Sequence, residues 1–198
     1  MWLEQNPVSR VRRPPESRAR VRFLSDDERE RLLQACRESA SSALYMVVVL
    51  ALSTGARKGE LLSLKWSQVD LKRGVILLEH TKNGDRRALA LVGYALELMQ
   101  EHAVRSTSKW VFPGPHTSGP LSIRTTWQTA VKRAGLEDFR FHDLRHTAAS
   151  YLAMNGASLA EIAEILGHRS LEMARRYTHL SQAHTRAVQA RMNEVMFG

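Results

Sequence analysis

Ten consecutive apolar residues, 43–52, constrain this chain more than any other feature. The run is too short to cross a bilayer, which takes about 20 apolar residues as a helix. It is also too long for an ordinary strand. Serines precede it and Gly55 follows it, so it reads as a buried helix over 41–54 that stops at the glycine. A fully apolar helix needs cover on every side, so the rest of the chain must wrap it.

Most of the remaining sequence has helical period. Ser25-Asp26-Asp27-Glu28 is a capping box, with Ser at the N-cap and Glu at N3. It opens a helix over 25–39. Further helices are expected over 58–64, 94–103, 122–134, 142–155, 159–166, 171–177 and 183–195, with Gly135, Gly156 and Gly167 as punctuation. A single β region interrupts them. Apolar-rich runs at 75–80 and 87–92 flank Asn83-Gly84, a strong type I′ hairpin signal. The expected fold is mainly α with a small antiparallel β-sheet (α+β).

Residues 1–24 differ in character. They hold six arginines, two glutamates and three prolines, and Pro14-Pro15 forbids helix there. This stretch reads as a basic interdomain linker or arm. Its alternatives are a solvated tail and a strap lying along a phosphate backbone. Residues 25–198 read as one domain. The chain has 29 Lys+Arg against 20 Asp+Glu, a net charge of +9. That favours a polyanionic partner, nucleic acid before an anionic membrane. One cysteine, Cys36, rules out an internal disulfide and fits a cytoplasmic setting. No apolar segment at the start resembles a signal peptide.

Walker, Rossmann and Cys-pair zinc spacings are all missing. His142 and His146, at i and i+4, resemble half of a metalloprotease site, but Asp143 stands where that site has Glu. Taken alone, His142-Asp143-Leu144-Arg145-His146 reads by default as a capped helix start with surface histidines. Two further segments change the weighting. Arg57 follows the helix-ending Gly55 in Thr54-Gly55-Ala56-Arg57-Lys58-Gly59-Glu60-Leu61. Leu166-Gly167-His168 precedes Tyr177-Thr178-His179. With Lys82 on the hairpin, the order along the chain is Arg57, Lys82, His142, Arg145, His168, Tyr177.

That order resembles the tyrosine recombinase (phage integrase) family, over about 23–183. The segments Glu60-Leu61-Leu62-Ser63-Leu64 and Thr81-Lys82-Asn83-Gly84 also look like the family's. The resemblance implies the catalytic domain of a site-specific DNA recombinase. It would cut and rejoin double-stranded DNA by transesterification through a 3′-phosphotyrosyl bond. Metal, ATP and cofactors would not be needed, because one phosphodiester replaces another. It also implies other protomers on the DNA, as a tetrameric synapse, in a bacterial or phage-encoded cytoplasmic protein with no membrane partner. Family members carry a core-binding domain upstream. Its absence here, with linker-like residues from Asn6 on, suggests a fragment or truncated member.

The chemistry explains the residue types. Arg57 and Arg145 can offer paired N–H donors to the extra negative charge of a pentavalent phosphorus, with His168 as a third donor. Such donors are worth ~3–4 kcal/mol each in other enzymes. A phenol has a pKa of ~10, so making the Tyr177 phenolate at pH 7 costs ~4 kcal/mol without help. His142 is the expected base, and the two arginines are expected to lower the phenol's pKa. Lys82 is the expected acid for the leaving oxygen. Glu60 is expected to buttress Arg57, with Asp143 and His146 supporting. His179 and His184 read as surface, and Tyr45 and Tyr151 as core. The rivals are a topoisomerase IB-like DNA-relaxing enzyme, a catalytically silent DNA-binding module, and a zinc hydrolase. The stripe of Val188, Met192 and Val195 on the last helix would either fold onto its own core or dock on another protomer.

Overall fold

The computed structural model describes residues 22–78, 87–114 and 119–198. The basic stretch before Arg22 and the hairpin tip with Lys82 and Asn83-Gly84 lie outside the described residues. Helix α1 (Asp26–Arg37) opens on the expected box. Ser25 Oγ accepts from the Glu28 N–H at 3.2 Å, and Glu28 Oε2 accepts from the Ser25 N–H at 3.0 Å. Helix α2 (Ser42–Thr54) is the apolar run. Leu44, Val47, Val48, Leu50 and Ala51 are fully buried. It stops where Gly55 turns left-handed at φ 62°, and a Cβ there would overlap the Leu166 side chain. Gly55 is therefore required twice, by its backbone angle and by a close approach.

Helix α3 (Lys58–Leu62) follows, then strands β1 (Val69–Asp70), β2 (Val75–Leu78) and β3 (Arg87–Ala90) in an antiparallel sheet ordered β1-β2-β3. Val69 faces Ile76, and Ile76 faces Leu89. Strand β1 was not expected, because two residues are too few for alternation to show. Helices α4 (Gly93–Arg105), α5 (Arg124–Arg133), α6 (Asp143–Met154), α7 (Leu159–Leu166), α8 (Glu172–Arg175) and α9 (Gln182–Phe197) complete the chain. The fold is mainly α with a small antiparallel sheet, as expected. No helix among the described residues is long and apolar enough to cross a membrane.

The core has two parts. The larger runs from Leu24 to Leu144 and surrounds α2. The smaller gathers Ala149, Ala153, Ile162, Ala163, Leu166, Ala174 and Tyr177. Helix α6 is the shared wall, contributing Leu144 to one part and Ala149 and Ala153 to the other. Leu24 belongs to the larger core, and its N–H donates to Thr147 Oγ1 at 3.1 Å.

The expected end of the helix over 171–177 is corrected, the core reading of Tyr45 and Tyr151 holds only in part, and one of the two alternatives for α9 is disfavoured. The helix over 171–177 is a single turn, Glu172–Arg175, followed by a 3₁₀ turn at Thr178–Ser181. Burial of Tyr177 draws the chain inward, and its N–H bonds back to Ala174 O, one residue short of α-helical spacing. Tyr45 and Tyr151 are half-buried, with their hydroxyls on polar partners. Tyr45 meets Tyr94 at 3.0 Å and Arg37 at 2.6 Å, while Tyr151 donates to Asp26 at 2.6 Å. Among the described residues, the apolar stripe of α9 is left largely uncovered: Val188, Met192 and Val195 are 44%, 49% and 87% exposed.

Glu28 also anchors the entry to α1. Hydrogen bonds from Arg22 hold its carboxyl at about 2, helped by the Ser25 N–H and opposed by burial. A carboxyl depressed on folding stabilises above its unfolded value and loses that contribution as pH falls through its folded one. Glu28→Gln should therefore cost about 1–2 kcal/mol at pH 7. The gap between variant and parent should close as pH falls from 4.5 towards 2, which urea melts at several pH values would show.

Candidate active site

The site forms where α7 ends. A helix C-terminus leaves carbonyls without intrahelical donors and carries partial negative charge. Here the Leu166 carbonyl accepts from two guanidiniums, Arg145 Nη2 and Arg87 Nη1. Arg145 Nη1 also donates to Gly55 O at 2.7 Å, tying the end of α2 to the end of α7. Arg87 Nη2 meets Glu60 Oε2 at 3.3 Å. The other Glu60 oxygen accepts from Arg57 Nη1 at 2.8 Å, and Oε2 also accepts from the Arg57 N–H at 2.7 Å. One continuous network thus links Arg57, Glu60, Arg87 and Arg145.

Two guanidiniums, Arg57 and Arg87, meet the Glu60 carboxylate, and the third, Arg145, shares the Leu166 carbonyl with Arg87. Arg145 is only 4% exposed. Burial, then Arg57 and Arg87, draw it down to about 10, which still leaves it charged at neutral pH. Burial lowers Arg87 as well. Concentrated, partly desolvated positive charge of this kind favours an anion, and paired guanidinium N–H groups suit phosphate.

Helix α6 supplies the next residues. Asp143 accepts from the Arg140 N–H at 2.8 Å and so holds the turn into the helix. His142, Arg145 and His146 follow on neighbouring positions of one face. The His142 ring stands edge-on to His146, with centroids 5.2 Å apart. Desolvation, then Arg145, pushes His142 down. His168, two residues past α7, is pushed to about 4 by burial, then by Arg145 and Arg176. Its Nδ1 is buried and meets no hydrogen-bond partner. Tyr177 lies inside the smaller core at 1% exposure, with its hydroxyl 2.6 Å from His146 Nδ1. The expectation of a lowered phenol pKa is corrected. Arg176 and Arg145 do pull it down, but burial outweighs them and the net shift is upward.

The structure thus gathers Arg57, Glu60, Asp143, His142, Arg145, His146, His168 and Tyr177 around the ends of α2, α6 and α7. Lys82 lies outside the described residues. His146, expected only in support, is the histidine that meets the phenol. Two residues were missed. Nothing local marks Arg87, whose partners Glu60 and Leu166 lie 27 and 79 residues away. Arg176 had a signal, a basic residue directly before the tyrosine. Its charge acts on His142, His146, His168 and Tyr177 together. Among the described residues, no three His, Cys, Asp or Glu side chains converge as a metal site would need.

The model of the phage integrase family matches residues 22–184, most of the chain. The chain belongs to the phage integrase family. Its relatives there include the integrase of Salmonella phage P22, 36% identical over 211 residues, spanning 99% of this chain and 52% of that protein. A shufflon-specific DNA recombinase of Escherichia coli is 40% identical over 176 residues, covering 88% of this chain and 44% of that protein. This family member therefore spans about half the length of those relatives. Among solved structures, the catalytic domain of bacteriophage HP1 integrase superposes with a TM-score of 0.70 at 29% identity, covering 90% of this chain and 96% of that one.

If Arg87 organises the network, Arg87→Met should leave Glu60 half-paired and the Leu166 carbonyl short of one donor. A loss of about 2–4 kcal/mol is expected. Arg87→Lys should recover less than half of it, since one ammonium cannot serve both partners in the guanidinium's geometry. Thermal melts of the three proteins provide the check.

Proposed function

We propose that this chain is the catalytic domain of a site-specific DNA recombinase, cleaving and rejoining DNA through a 3′-phosphotyrosyl bond at Tyr177. One observation carries the reading: a tyrosine hydroxyl on a histidine, near a linked set of three guanidiniums, Arg57 and Arg87 on Glu60 and Arg145 sharing the Leu166 carbonyl with Arg87. Family membership and the names of the two relatives support it.

In this reading Arg57 and Arg145 bind the non-bridging oxygens of the scissile phosphate. Glu60 and Arg87 hold them in place. His168 adds a donor and His142 lines the entry beside Arg145. Lys82 protonates the 5′-oxygen as it leaves. Arg145 gains strength because burial has removed competing water. Energy is conserved between phosphodiesters, so ATP is not required, and no step calls for a metal. Tyr177 is almost wholly enclosed, so DNA binding must shift the short α8 segment before the phenol oxygen meets phosphorus. The basic residues that precede Arg22 add charge for the phosphate backbone.

The partners in this reading are double-stranded DNA and further copies of the protein. The exposed stripe of α9, extended by Met196 and Phe197, finds little cover among the described residues of its own chain. A second copy on the same DNA supplies that cover. A topoisomerase-like enzyme shares the chemistry but needs no such copy.

Two results are expected. A pool of nicked suicide duplexes, run on a denaturing gel, should give a covalent protein–DNA adduct that survives excess chelator. Tyr177→Phe should abolish it while leaving DNA affinity nearly intact; an adduct with the Phe variant would move the nucleophile elsewhere. Deleting 182–198 should leave the thermal melt of the free protein nearly unchanged and prevent higher assembly on DNA in light scattering. An unfolded deletion variant would instead assign α9 to its own core.

A further inference from the structure

We infer that His146 is the base that takes the proton of Tyr177, a role that rests on the reading of Tyr177 as nucleophile. The geometry is direct: His146 Nδ1 lies 2.6 Å from the phenol oxygen. His142 sits one turn earlier on α6, exposed, with its ring edge-on to His146. It borders the entry, whereas His146 faces the enclosed phenol.

Electrostatics fits the assignment. Burial holds His146 at about 4, reinforced by His142, Arg176 and Arg145 and opposed by Asp143. At neutral pH the ring is therefore uncharged. With the proton on Nε2, Nδ1 offers a lone pair and the phenol donates to it. Full proton transfer at rest is uphill, because burial raises the phenol and lowers the imidazole. Transfer must accompany attack, when the oxygen's electron pair passes to phosphorus and the O–H bond weakens.

The step balances. The O–H pair of Tyr177 becomes the new P–O bond, and its proton moves to His146 Nδ1. The P–O5′ bond breaks, and O5′ takes a proton from the general acid. In rejoining, the imidazolium returns the proton to the departing phenolate. Phosphate in the site would offset Arg145 and Arg176, the cations that disfavour the imidazolium. The base thus becomes competent when DNA is in place, and the empty enzyme keeps a quiet nucleophile.

The test separates a base from a mere neighbour. His146→Asn keeps an acceptor oxygen near the Nδ1 position but cannot take up the proton. Adduct formation on the suicide duplexes should fall by roughly a hundredfold or more. Incorporating 2,3,5-trifluorotyrosine at 177, a far more acidic phenol, should recover most of that loss. The same exchange should help the His146 protein little and should not rescue His142→Asn. If His146→Asn melts early, His146→Gln with the same tyrosine exchange replaces it. Rescue at His142→Asn and none at position 146 would assign the base to His142. An adduct in the parent with no rescue at 146 overturns this inference alone. No adduct in the parent overturns the reading of Tyr177 as well.

Discussion

The site depends on one backbone carbonyl. Leu166 O, at the C-terminus of α7, accepts from Arg145 and Arg87 at once. Those two bonds decide where the cations of the site can be. Arg145 is pinned between the ends of α2 and α7 by Gly55 O and Leu166 O. Arg87 is pinned between α7 and Glu60, and Glu60 fixes Arg57. The helix terminus gains donors for a carbonyl it cannot pair itself, and the arginines gain a partly negative anchor in a dry setting. The same terminus passes through Gly167, left-handed at φ 62°, to His168. Fixing Leu166 O therefore fixes the start of the segment that leads to Tyr177.

Burial and neighbouring positive charge oppose each other at Tyr177 and act together on the histidines and Arg145. Burial wins at Tyr177, whose phenol rises despite two nearby arginines. The two act together on His146 and His168, holding both near 4 and uncharged. At Arg145 burial lowers the group without neutralising it. The resting site thus combines a protonated phenol, neutral imidazoles and charged guanidiniums. An incoming phosphate would oppose the effect of the guanidiniums on the phenol and on the imidazoles.

Much of the fold was legible in the chain because its signals are local. The Ser25–Glu28 box, the apolar run ending at Gly55, and the glycines after α6 and α7 each act within a few residues, and the helices follow them. The residue types of the site were legible too, as an order of Arg, His and Tyr that resembled one family. What could not be read was relation. Arg87 sits on an ordinary strand, and only a contact with α7 makes it a site residue. The choice between His142 and His146 at the phenol depends on how α8 turns inward, which helical period misjudged by continuing that helix to Tyr177. The polar ends of Tyr45 and Tyr151 were hidden for the same reason: an apolar neighbourhood in sequence does not say where a hydroxyl points.

The central claim is that Tyr177 receives the DNA phosphate, and mass spectrometry of the trapped adduct tests it most directly. After nuclease digestion and trypsin, the nucleotide-bearing peptide should be the one that begins at Tyr177 and ends at Arg186. Fragmentation should place the phosphodiester on that tyrosine. A nucleotide on Tyr45, Tyr94, Tyr151 or a serine would contradict the account.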